Sequence, residues 1–159
     1  MKLIRTEKSL LTFSLSRREK ALLVKVLQMY PLVPAAHHRL SKSGQQTRAT
    51  EHQQLLDEAV AEQRNENRKR ARLLLEDHSR FPETQNEVRF SIKREEIEWL
   101  LKVLNDVRIG AWLALGEPEE RFLPVLNETN TPYIFAMEVS GHFQVEILAA
   151  LGHHEPTQS

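Results

Sequence analysis

"FSLSRREKALLVKVL", residues Phe13–Leu27, and "FSIKREEIEWLLKVL", residues Phe90–Leu104, are nearly the same phrase written twice. At an offset of 77 positions, residues 13–29 match residues 90–106 at eight of 17 places, among them Phe13/Phe90, Ser14/Ser91, Arg17/Arg94, Glu19/Glu96 and Val26/Val103. In the first copy Leu11, Phe13 and Leu15 alternate with Thr12 and Ser14, the period of a half-buried strand. Ser16 and Glu19 then form a Ser-x-x-Glu capping box, so a helix is predicted from Arg17. Its stripe of Leu22, Leu23, Val26, Leu27 and Tyr30 ends at Pro31, which removes a backbone donor. The second copy repeats the alternation at Val88, Phe90 and Ile92, and its helix runs through Leu115 to a stop at Gly116.

Two amphipathic helices share leucines through apolar spacing alone, but that spacing does not reproduce the Phe-Ser pair of the strands. Two copies separated by unrelated sequence exclude a stacked solenoid. The predicted arrangement is a pair of strand-helix units about a pseudo-twofold axis, the strands forming a two-stranded antiparallel ribbon that needs helices over one face.

Between the copies, a short turn is expected at Pro34–Leu40 and a mobile loop at about 41–50, where "SKSGQQTRAT" is small and polar. Thr50 and Gln53 form a second candidate capping box. The helix it opens is predicted to run to about Asp77, packing by its apolar ends around a solvated waist, "EQRNENRKR". A last helix starts at Pro132 and runs to about Leu151. The fold class expected is mostly α: a compact bundle of about four to six helices with a small ribbon, in one domain over 1–152 and with a flexible tail at 153–159.

The 159 residues contain no cysteine, which excludes disulfides, thiolate nucleophiles and thiolate zinc sites. Hydrophobic residues make up 40% and charged residues 28%, the balance of a folded soluble domain. No signal sequence or membrane span is read, so a cytoplasmic location and no membrane partner are expected. The zero net charge hides a split: residues 1–80 carry 16 Lys/Arg against nine Asp/Glu, and residues 81–159 carry six against 13. A basic first half is compatible with an anionic partner, and equally with mutual attraction of the halves or with solvated faces.

On the second helix Arg108 falls among Leu101, Leu104, Ala111 and Leu115, where a charge needs a partner, while Asp106 points nearly the opposite way. The stretch Glu98–Gly116 resembles the central segment of a family of small bacterial proteins catalogued as a domain of unknown function. Trp99, Leu100, Val103, Leu104, Asn105, Asp106, Arg108 and Gly116 carry the resemblance, and Tyr133–Leu151 looks like that family's hydrophobic last helix. The resemblance implies a mostly helical structure and no established activity.

Asn105, Asp106 and Arg108 thus form a cluster that either organises the core, with Glu138 or Glu146 as the partner of Arg108, or lines a pocket for a small ligand. Glu138, His142 and Glu146 share a face of the last helix at four-residue steps and are a weak metal candidate, because three ligands over two turns rarely converge on one ion. Arg64, Arg68 and Arg72, with Lys69 and Arg70, make a stripe able to follow phosphates, opposed by glutamates on the same helix. The pairs His37-His38 and His153-His154 carry little, and no nucleophile elbow or phosphate loop is present. The expectation is a non-catalytic interaction or regulatory protein without cofactor, with another protein or a second copy as partner. Rival readings are a nucleic-acid-binding regulator and a small-ligand binder or enzyme.

Overall fold

The computed structural model describes residues 1–35, 46–119 and 124–152. Its elements run β1 (Lys2–Glu7), β2 (Leu10–Leu15), α1 (Arg17–Gln28), α2 (Gln46–Glu76), β3 (Val88–Lys93), α3 (Arg94–Ala114) and α4 (Thr131–Gly152). The fold is mostly α, with four α-helices among the described residues. The sheet, however, has three antiparallel strands in the order β1-β2-β3. The ribbon expected from the repeat is β2 with β3, and β1 is the strand that was missed. It is an edge strand whose side chains stay mostly exposed, so its sequence shows no burial alternation.

The register explains the duplicated phrase. Phe13 lies opposite Phe90, Leu11 opposite Ile92 and Leu15 opposite Val88, so the ladder is symmetric about the pair of equivalent phenylalanines. All six of these side chains are buried, and they form one face of the core. On the other face Thr12 Oγ1 and Ser91 Oγ lie 3.1 Å apart, and Ser14 donates to Glu87.

Each strand runs directly into its helix, and each helix start is held by the equivalent glutamate. Glu19 accepts from Ser16 N–H at 2.8 Å while Ser16 Oγ accepts from Glu19 N–H, completing the predicted box. Glu96 accepts from Lys93 N–H at 3.0 Å, but lysine has no acceptor to return. Each glutamate also collects a cation: Glu19 takes the α-amino group of Met1, and Glu96 takes the Arg80 guanidinium through two bonds of 2.6 and 2.9 Å.

α3 and α4 form the most extensive helix pair, with α1 packed on both and α2 laid on α1. α2 begins at Gln46, so Thr50 lies within the helix and is not its cap, and residues 46–50 are helical, not loop. The rest of that loop, the turn expected at 34–40 beyond residue 35, His37-His38 and the tail with His153-His154 lie outside the described residues. α3 ends as expected, with Gly116 at φ +80° and its N–H bonded to Leu113 O.

Candidate interaction surface

The buried stripe of α3 is Ile97, Leu100, Val103, Leu104, Val107 and Ala111. Its two flanks do different work. On one flank Asp106 Oδ1 accepts from Leu32 N–H at 2.7 Å and Val33 N–H at 3.2 Å, holding the segment after α1 against the helix. One turn on, Gly110 makes that approach possible: a Cβ there would lie 2.6 Å from Val33 N and 2.7 Å from Leu32 Cβ.

On the other flank stands Arg108, and the expectation that it lies on the apolar side fails. It is exposed, because the buried arc, from Trp99 and Gly110 on one side to Ile97 on the other, is centred near Val107, and Arg108 lies about 100° off that centre. Its one hydrogen bond among the described residues is a long 3.4 Å contact to Asn105 Oδ1, also exposed. Asn105, Asp106 and Arg108 therefore do not form one cluster, although Asp106 points away from Arg108 as predicted.

Arg108 instead lines an open groove of about 830 Å³ between α3 and α4, with Ile109, Trp112, Met137, Gly141, Val145 and Leu148. Glu138 and His142 line it too, both exposed, and Glu146 is half-buried and outside it. Neither glutamate pairs with Arg108 among the described residues, where no group of three side chains is placed to hold a metal ion.

The core face of α4 is Ala136, Ser140, Phe143, Ile147 and Ala150. Leu148, 55% exposed, and Val145, 64% exposed, lie off that face. The helix is apolar nearly all round, which blurs its periodicity. Opposite the core stripe run Ile134, Gly141, Val145 and Leu148, and with Glu138 they are spaced 4-3-4-3, the signal by which this face was detectable. Among the described residues α4 is the one helix long and apolar enough to cross a membrane by length and composition alone, and 28% of its most apolar window is buried. A core helix of a soluble domain is mostly covered.

The arginine stripe of α2 is divided among separate tasks. Arg64 donates to Val33 O at 2.5 Å, and Arg70 lies over the Trp99 ring at 4.6 Å. Between them Asn67 donates to Tyr30 Oη and accepts from Trp99 Nε1, so the waist expected to be solvated makes polar contacts with the core. Arg68 and Arg72 stand at the mouth of a second groove, between α1 and α2, with Arg72 3.8 Å from Glu76; Lys69 is exposed.

Comparison with family models, with curated proteins and with solved structures finds no match.

Proposed function

We propose that this chain is a non-catalytic interaction protein of the cytoplasm whose docking surface is the α3–α4 groove and whose ligand is a helix with an apolar stripe. The observation that carries this reading is the outward face of α4, where Val145 and Leu148 stay exposed beside half-buried Gly141, Ile109 and Trp112. An apolar face at 4-3 spacing matches the stripe of an incoming amphipathic helix, and burying it is favourable at about 25 cal/mol per Å². Arg108, Glu138 and His142 supply a polar rim. The separation of Asp106 from Asn105 and Arg108 speaks against a small-ligand site there, and the hydrogen bond of Arg64 and the ring contact of Arg70 break up a phosphate-tracking row.

The chain lacks cysteine, so Val145→Cys carries a single environment-sensitive fluorophore. At submicromolar protein, a designed peptide helix with leucines at 4-3 spacing should shift the emission to the blue with saturation. A scrambled peptide of the same composition should not. Equal responses to both peptides, or none to either, reject the reading.

A further inference from the structure

Two glycines sit inside the helices that form the groove, and only one is explained by the chain's own packing. Gly110 has the backbone of Leu32–Val33 against it. At Gly141 an added Cβ would meet only Arg108 Cδ, at 3.7 Å, an ordinary contact with a flexible side chain. Alanine there would favour the helix by about 1 kcal/mol, so the bare backbone serves nothing within the described fold. What it does allow is close approach of another helix.

Gly141 is also the midpoint of the outward stripe, seven residues from Ile134 and seven from Leu148. A helix crossing antiparallel at Gly141 with the same sequence therefore sets Ile134 against the partner's Leu148, and by symmetry Leu148 against the partner's Ile134. The charges on the rim agree with this arrangement. Arg108 and Glu138 are opposite in sign, both line the groove, and neither is ion-paired among the described residues. In a twofold complex centred on Gly141, each Arg108 is brought toward the partner's Glu138, within reach of its long side chain.

A membrane surface fits less well. The core stripe of α4 is locked against the rest of the domain, and the groove presents both signs of charge where an anionic bilayer rewards cations alone.

We infer that the occupant of the α3–α4 groove is a second copy of this chain, the two α4 helices crossing antiparallel at Gly141 in an isologous dimer. This rests on the reading of the groove as a docking surface for a helix.

Sedimentation velocity and light scattering on the full chain, up to about 200 µM, test it. The wild type should reach twice the monomer mass. Gly141→Leu should weaken association at least about tenfold while melting no lower than the wild type at low protein concentration, where self-association makes no contribution. Arg108→Glu and Glu138→Arg should each weaken it comparably, and the double exchange should return it to within about threefold of wild type. A wild type monomeric at the highest concentration overturns the inference, as does Gly141→Leu associating normally or a double exchange no better than the single changes. A monomer that floats with phosphatidylglycerol-containing vesicles overturns it in favour of lipid. If the wild type is monomeric yet the labelled Val145→Cys protein still binds the designed helix, the dimer falls and the docking surface stands. Failure of both removes both.

Discussion

Phe13 and Phe90 face each other across β2 and β3, ring centroids 6.4 Å apart and planes 27° from parallel. Phe81 also stacks on Phe90, at 4.9 Å and 11°. Both strand phenylalanines are 1% exposed, so truncation leaves a cavity that the surrounding core fills only in part. Phe13→Ala and Phe90→Ala should each cost about 3–5 kcal/mol in urea unfolding followed by circular dichroism. Phe90→Ala should be the costlier by about 0.5–1.5 kcal/mol, since it also loses the Phe81 stack. Equal losses would mean that this stack contributes nothing.

Asp106 and Gly110 hold Leu32–Val33 by different means, one through hydrogen bonds and the other through absent volume. Asp106→Ala leaves two partly buried N–H groups without their acceptor and should cost about 1–3 kcal/mol. Gly110→Ala places a methyl group against main chain that cannot step aside without releasing the Asp106 bonds, and should cost at least as much, from about 1–3 kcal/mol upward. Thermal melts of both variants check the pair. An alanine at 110 that stabilises the fold, as helix propensity alone predicts, would contradict the contact.

These two residues also show how far the sequence was readable. The strands and helix starts of the repeat were legible because alternation and the Ser16–Glu19 box are local signals. The central helix was legible too, including the divergence of Asp106 from Arg108. β1 was not, because an edge strand buries little and so carries no pattern. The inward roles of Arg64 and Asn67 were hidden, since a polar residue turned toward a polar groove reads like one turned to water. Arg108 was misplaced because helical angles show which residues neighbour one another but not where the edge of the buried arc falls. The outward stripe of α4 was masked by its apolar core stripe on the opposite side.

Glu96 predicts how stability depends on pH. Burial pushes its carboxyl up, but the hydrogen bonds from Arg80, the Lys93 N–H and the charges of Arg80 and Arg70 outweigh that and hold it below the usual glutamate range. A carboxylate lowered in the folded state adds stability above its unfolded value, near 4.3, and loses it as pH falls through the lower folded value. Glu96→Gln should therefore be less stable than wild type by about 1–2 kcal/mol at pH 7, the bidentate pair being only partly screened. The gap should shrink as pH falls below about 4. Urea unfolding at pH 7 and pH 3 gives both values, and a gap that is constant or grows in acid would reject this account.

Ser140 and Gly141, adjacent on α4, lie about 100° apart around the helix, one in the core stripe and the other on the outward face, and should both accept alanine. Ser140 is fully buried, and its hydroxyl has no hydrogen-bond partner among the described residues. Removing it should be neutral or stabilising by up to about 1 kcal/mol. Gly141→Ala should stabilise the monomer by about 0.5–1 kcal/mol through helix propensity, measured at low protein concentration where self-association makes no contribution. A loss of more than about 1 kcal/mol at Ser140 would show that its oxygen is bonded after all.

The arginines of α2 look interchangeable in sequence and should not behave so. Arg64 gives a charged hydrogen bond to a partly buried carbonyl, and its replacement by alanine should cost about 1–2 kcal/mol. Arg70→Ala loses a guanidinium over the Trp99 face and should cost about 0.5–1 kcal/mol, with a change in tryptophan emission. Arg68 bonds nothing among the described residues, and Arg72 has only a 3.8 Å pair with an exposed glutamate, so alanine at either should stay within about 0.5 kcal/mol of wild type. Were all four replacements equally harmless, α2 would be the solvated helix its composition suggests. The predicted order, Arg64 above Arg70 above Arg68 and Arg72, requires that the polar waist of α2 take part in the fold.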